Sequence, residues 1–197
     1  MIRWLLAAGI TAILFSCSGE EKKTSPIIHS EILSLPLKSI DGKIISVKDL
    51  TAGHPANVFL FLSPDCPMCQ SYTLTIKKLQ EKFSGKGISF TGIFPSEEYS
   101  DEDIRAFRSD FSTDYPFYRD TDFKLTRALR ARVTPEVFVL DSTALILYSG
   151  SIDNWAYATG KKRLEATEFF LNDALENIVS GKPVAQKSTT AYGCLIE

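Results

Sequence analysis

The sequence predicts a three-layer α/β domain with a central mixed sheet and an N-terminal β-hairpin. Three observations carry that prediction. Apolar runs of strand length alternate with amphipathic helical stretches through the middle of the chain. Two apolar-alternating stretches flank Asp41-Gly42, a strong turn pair, near the start. Two further strands and a long amphipathic stretch close the pattern. The 197 residues suit one compact domain plus extensions. A content of 44% hydrophobic and 23% charged residues supplies a core and argues against global disorder. The net charge is −2, and Lys and Arg are scattered without a basic stripe, so no nucleic-acid partner is expected.

The elements follow in order. Leu33 to Leu50 reads as the hairpin. "ANVFLFL" (Ala56 to Leu62) is a continuous apolar run of β formers, expected as a central strand covered on both faces. Pro64 stops it. Pro67 sits where a helix starts, and the following stretch places Tyr72, Ile76, Leu79 and Phe83 on one face before Gly85 and Gly87 end it. "ISFTGIF" (Ile88 to Phe94) is a second apolar strand. Ser100 is a helix cap followed by a first turn of acids. "YPFYRD" is a short strand and "TDFKLTRALRA" a helix. "PEVFVLDS" and "ALILYSG" form a hairpin turning near Ser142-Thr143. The stretch from Lys161 to Gly181 reads as one long helix, and residues 182–197 show no clear structure of their own.

The N-terminus is a separate object. A short basic start, "MIRW", precedes the apolar run "LLAAGITAILF", which has the length of a signal-peptide core and is short for a membrane span. The run ends in "LFSC" at Cys17 and resembles a bacterial lipoprotein signal. That resemblance implies cleavage before Cys17, lipid on Cys17, and attachment to a membrane of the cell envelope facing the periplasm. Residues 1–17 are then signal and lipidated cysteine, and 18–31 a polar tether. Residues 32–181 form the domain, and 182–197 a tail carrying Cys194.

Four cysteines are present: Cys17, Cys66, Cys69 and Cys194. Export allows disulfides. Cys66 and Cys69 are spaced C-x-x-C between an apolar strand and a helix start, which points to redox chemistry because such a pair closes almost no loop and makes a poor staple. A thiolate, not a thiol, attacks a disulfide. At a helix N-terminus the free N–H groups and the dipole favour negative charge on Cys66. Asp65 opposes this. Cys69, one turn on, is placed to attack a mixed disulfide formed at Cys66. Cys194 reads in two ways: a free cysteine on a mobile tail, or a third redox thiol brought to the dithiol when the tail folds back. His29 and His54 read as surface residues, and Trp155, Tyr115, Phe117 and Tyr118 as packing.

The order "DGK", apolar strand, "CPMC", helix, strand, helix and "YPFYRDTDFKLTRALRARVTPEVFVLD" resembles the redoxin branch of the thioredoxin superfamily, from about Ile32 to Gly181. That branch includes membrane-tethered thiol–disulfide oxidoreductases and peroxiredoxins. The resemblance implies a thioredoxin fold and an oxidoreductase with no cofactor or metal. Its partners would be protein dithiols or disulfides, or a membrane electron donor. It also implies that Cys66 is the exposed cysteine, that Cys69 is the buried one, and that Thr134-Pro135 is a cis step facing the dithiol. There the Thr134 backbone would pair with an extended substrate. Two positions depart from the family: Asp65 stands where thioredoxins carry tryptophan, and Leu60 where they carry a buried acid. The ending with Gly193-Cys194 resembles a subgroup of redoxin-domain proteins.

Other functions remain open on the sequence. A thiol peroxidase would need a threonine three residues before the attacking cysteine, behind a proline; Ser63 stands at that distance with Pro64 after it. A copper-binding or delivery module would draw on Cys66, Cys69, Met68, Cys194 and His54. A tethered interaction module that lost its chemistry is the remaining reading.

Overall fold

The computed structural model describes residues 29–197. Cys17 and the signal-like stretch lie outside the described residues. The elements run α1 (His29–Ser34), β1 (Pro36–Ser39), β2 (Ile44–Ser46), α2 (Val47–Thr51), β3 (Ala56–Phe61), α3 (Pro67–Phe83), a 3-10 turn (Ser84–Lys86) and β4 (Ile88–Phe94). After them come α4 (Asp101–Asp110), β5 (Phe117–Arg119), α5 (Lys124–Leu129), β6 (Val133–Thr134), β7 (Glu136–Leu140) and β8 (Ile146–Gly150). The chain ends with β9 (Ala156–Ala158), β10 (Lys161–Lys162), α6 (Phe170–Val179) and β11 (Cys194–Leu195).

Seven strands form one mixed sheet in the order β2-β1-β5-β4-β3-β7-β8. The pairs β3–β4 and β4–β5 are parallel, and the other neighbours are antiparallel. Strand β3 is buried along its whole length, as a strand covered on both faces must be. Its side chains alternate between two cores. Val58 and Leu60 join the face packed by α3, α4 and α6. Phe59 and Phe61 join the face packed by α1, α2 and α5. Strand β7 repeats the pattern, with Val137 and Val139 on the first face and Phe138 and Leu140 on the second. This is the three-layer thioredoxin fold with its N-terminal hairpin.

Helix α3 buries Cys69, Tyr72, Ile76, Leu79 and Phe83, the i, i+3, i+4 stripe that faces a core. Each apolar side chain on it removes enough surface to stabilise the fold by about 1.5–3 kcal/mol. Pro67 occupies the first helical position, where its missing N–H costs nothing. Ser100 caps α4 in a reciprocal box with Asp103.

Two expectations are corrected. The helix expected from Lys161 is confined to Phe170–Val179. The buried Asn154 side chain takes the N–H groups of Thr167 and Glu168, and Arg163 N–H donates to the Trp155 carbonyl. These tertiary bonds hold residues 163–168 as a loop, and Leu164, 98% exposed, has no core to join. The tail is also structured. It runs back along β8 and ends as β11, paired antiparallel with β6. At the other end, α1 begins at His29. Among the described residues no helix is long and apolar enough to cross a membrane.

Candidate active site

Strand β3 carries the chain to Leu62, whose N–H donates to the Ile93 carbonyl at 2.8 Å. Ser63 to Cys66 then turn into α3, with Cys66 as its N-cap and Cys66 N–H on the Ser63 carbonyl at 3.3 Å. The sequence places Cys66 here because Pro64 ends the strand and Pro67 starts the helix. Cys69 follows one turn later, on the buried stripe.

The disulfide in the structure joins Cys66 to Cys194, with Cα atoms 6.1 Å apart. Cys69 is free and fully buried. The molecule is therefore not in the Cys66–Cys69 disulfide state that the C-x-x-C spacing suggests. Cys66 is itself buried, 1% exposed, and its sulfur lies 3.1 Å from the Thr134 carbonyl oxygen. The Thr134–Pro135 peptide bond is cis, and Cys66, Cys69 and Cys194 all lie against Thr134. Burial pushes the Cys69 thiol up to about 12, against smaller opposing pulls from the Ser63 N–H, 3.4 Å from its sulfur, and the Thr134 hydroxyl.

The tail reaches Cys66 along a strap of specific bonds. Ser149 N–H donates to the Lys187 carbonyl and Thr189 N–H to the Ser149 carbonyl, both at 3.0 Å. The Thr189 hydroxyl oxygen accepts the Ser151 N–H at 2.9 Å and meets the Tyr148 hydroxyl at 2.7 Å. The Ser151 hydroxyl donates to the Thr190 carbonyl at 2.6 Å. Gly150 has φ +127°, and a Cβ there would press on the Thr189 backbone, 2.8 Å from its carbonyl carbon. Beyond Ala191 the register sets Cys194 opposite Thr134 and Leu195 opposite Val133, and Ile196 N–H donates to the Arg132 carbonyl at 3.0 Å. The β6 edge is held from behind by buried Glu136, whose carboxylate accepts the N–H groups of Arg132 at 2.7 Å and Val133 at 3.4 Å. That position makes Glu136 a backbone clamp.

Beside Cys66 lies a polar cavity of about 290 Å³, lined in part by Ser63, Asp65, Tyr99, Thr134 and Cys194. Asp65 accepts hydrogen bonds from the Ser63 hydroxyl and from the Tyr99 hydroxyl, the latter at 2.6 Å. These two donors, Ser63 first, hold its carboxyl below the usual carboxylate range. Burial first, then the Asp65 carboxylate, pushes the Tyr99 hydroxyl up. The Ser63 hydroxyl is thus committed to Asp65 and Tyr99. A larger cleft of about 760 Å³ lies between α3 and the 153–172 segment, lined by Tyr72, Trp155 and Phe169 among others, and no cysteine borders it. Among the described residues no group of three or more His, Cys, Asp or Glu side chains is disposed to hold a metal ion. His54 points Nδ1 at the Gly87 carbonyl, 3.2 Å away.

Sequence reasoning missed Tyr99 and Thr189, which no local motif marks. Gly193 was visible only as the neighbour of Cys194.

Comparison with known proteins follows the geometry. The redoxin family profile matches residues 22–155. A hypothetical protein from Sinorhizobium meliloti 1021 superposes with a TM-score of 0.72 at 22% identity, covering 82% of this chain and 89% of its own. An uncharacterized conserved protein from Geobacillus kaustophilus gives 0.70 at 22% identity, covering 84% and 89%. A secreted Mycobacterium tuberculosis disulfide oxidoreductase, described as homologous to E. coli DsbE, gives 0.53 at 15% identity, covering 77% and 98%. No curated protein matches the chain in sequence. The match spans more than half of the chain: this chain belongs to the redoxin family.

Proposed function

We propose that this protein is a thiol–disulfide oxidoreductase in which Cys66 is the exchanging sulfur and Cys194 its resolving partner. One observation carries the reading: Cys66, at the head of α3 beside Thr134–Pro135, is bonded to Cys194 while Cys69 stays a buried thiol. When reduced, Cys66 faces the free N–H groups of the first turn of α3, which favour the thiolate. That thiolate attacks a substrate disulfide. A bond forms between Cys66 and one substrate sulfur, and the other leaves as a thiolate with the electron pair. A second thiolate of the enzyme then attacks the Cys66 sulfur and expels the remaining substrate thiolate, which takes up a proton.

Magnitudes decide which thiolate that is. Burial pushes the Cys69 thiol up to about 12, so near neutral pH it stays a thiol and is a poor nucleophile. Cys194 lies on the less buried tail and reaches the same sulfur. Run in reverse, a substrate thiolate attacks the Cys66–Cys194 bond and is oxidised. Once the tail lifts away, the β6 edge that pairs with β11 offers its backbone to a polypeptide, which makes protein thiols and disulfides the natural partners. The lipoprotein-like start supports a lipid anchor at Cys17 and a place in the cell envelope facing the periplasm. The secreted Mycobacterium tuberculosis neighbour is consistent with an exported role.

The test is a glutathione titration of the full-length chain with mass mapping of every thiol. A reversible two-electron transition confined to Cys66 and Cys194, with Cys69 reduced throughout, is expected. Absence of any reversible transition refutes the oxidoreductase reading; a transition confined to Cys66 and Cys69 refutes the role given to Cys194.

A further inference from the structure

The tail occupies the place that a substrate would take. Its backbone pairs with β6, the edge beside the cis step, and its cysteine sits on the Cys66 sulfur. Its side chains are thus a record of what that edge accepts. Gly193, the residue before the cysteine, lies so close to Thr134 that a Cβ would fall on the Thr134 carbonyl oxygen, 2.6 Å from the carbonyl carbon and 3.1 Å from Pro135 N. The obstacle is backbone, and it cannot swing aside as a side chain can. It is held by the Glu136 carboxylate through Arg132 and Val133 and by the antiparallel pairing itself. Gly193 shows no positive φ, so the close approach, not the local backbone conformation, is what demands glycine. One residue after the cysteine, Leu195 is 72% exposed and meets no constraint. Two residues after it, Ile196 is half-buried against the core face that holds Phe61, Leu125 and Phe138.

We propose that the site selects extended polypeptide segments in which glycine immediately precedes the reacting cysteine and an apolar residue stands two positions beyond it. The segment Gly193–Ile196 is the built-in example of that substrate. The proposal rests on the exchange reading above and adds a substrate class to it.

The test uses the full-length Cys194→Ser chain, reduced, so that Cys66 meets only added substrate. The probes are the capped peptides Tyr-Gly-Cys-Leu-Ile, Tyr-Ala-Cys-Leu-Ile and Tyr-Gly-Cys-Leu-Asp, each with its cysteine disulfide-bonded to a chromogenic aryl thiol. Attack by Cys66 on the peptide sulfur forms the Cys66–peptide disulfide, breaks the peptide–aryl bond and releases the aryl thiolate, read by absorbance. The mass of the product confirms the sulfur attacked. Any residual docking of the uncoupled tail slows all three peptides equally and leaves their ratios intact. A methyl forced onto fixed backbone predicts that the alanine peptide reacts at least about tenfold more slowly than the glycine peptide. The aspartate peptide is also slower. A glycine-to-alanine ratio below about tenfold, or equal rates for isoleucine and aspartate, overturns the specificity. The symmetrical aryl disulfide, which needs no groove, is the separate control: a Cys66 inert toward it as well refutes the exchange chemistry rather than the specificity.

Discussion

Substituting Gly193 by alanine within the chain itself is expected to change which cysteine Cys66 holds, with no change in oxidation state. The added methyl would stand 2.6 Å from the Thr134 carbonyl carbon, about 1 Å inside an ordinary carbon contact. Relieving it means lifting the tail off β6 or shifting the Thr134 backbone. Forced overpacking of this kind costs about 1–3 kcal/mol. Because only the tail-bonded form carries that cost, the ratio of Cys66–Cys194 to Cys66–Cys69 disulfide is expected to fall by about 5- to 150-fold. The assay is oxidation to equilibrium in a glutathione buffer, acid quenching, alkylation of free thiols and peptide mapping of both disulfides. Gly85→Ala is the control, since a Cβ at Gly85 meets nothing within 4 Å. A Gly193→Ala ratio within about twofold of the wild type would falsify the close approach on which the site description depends.

Three further outcomes are expected. Thr189→Val deprives the Ser151 N–H of its partner and removes one of two contacts of the Tyr148 hydroxyl, which still donates to the Ser151 carbonyl, so the strap loosens at a cost of about 1–3 kcal/mol; Cys194 should then be alkylated faster during partial reduction, and an unchanged rate would remove the strap from the mechanism. The raised pKa of Cys69 also has a signed consequence for stability. The folded chain keeps a proton that the unfolded chain releases above 9.0, so this contribution is full below pH 9 and is lost as the pH climbs toward 12. The difference in urea midpoint between wild type and Cys69→Ala should therefore narrow between about pH 9 and pH 11, and a constant difference would contradict the burial of that thiol. Finally, Cys17→Ala is expected to move the protein from the membrane fraction to the soluble fraction and to abolish incorporation of labelled palmitate; retention of both would rule out lipid at Cys17.

The parts of the fold that depend on local pattern were legible in the sequence. Ile88–Phe94 and the run from Ala56 are strands because each is apolar along its length, and Tyr72, Ile76, Leu79 and Phe83 repeat at helical spacing. The start of α3 at Cys66 was legible too, because Pro64 and Pro67 constrain the chain at short range. What failed to show depends on partners far along the chain. The stretch from Lys161 has helical composition, yet Asn154 takes its amides. The tail has no periodicity because its register is set by backbone groups of β8 and β6, reached across 39 residues from Ser151 to Thr190 and 60 from Thr134 to Cys194. Tyr99 meets Asp65 across 34 residues, and nothing near either residue announces the other.

The identity of the cysteine that Cys66 holds also sets the thermal tolerance of the whole domain. A bond to Cys194 ties together residues 128 apart, whereas a bond to Cys69 ties neighbours three apart. On the chain-entropy view the first restricts the unfolded chain by about 5 kcal/mol and the second by about 1.5 kcal/mol. A swap of partners therefore moves no electrons to or from solution, yet it removes about 3 kcal/mol of resistance to unfolding. For a chain of this length that corresponds to a melting temperature lower by about 6–12 °C. Each turnover that frees Cys194 briefly turns a cross-linked molecule into an ordinary one, and heat or a protease would register the event as surely as a thiol reagent.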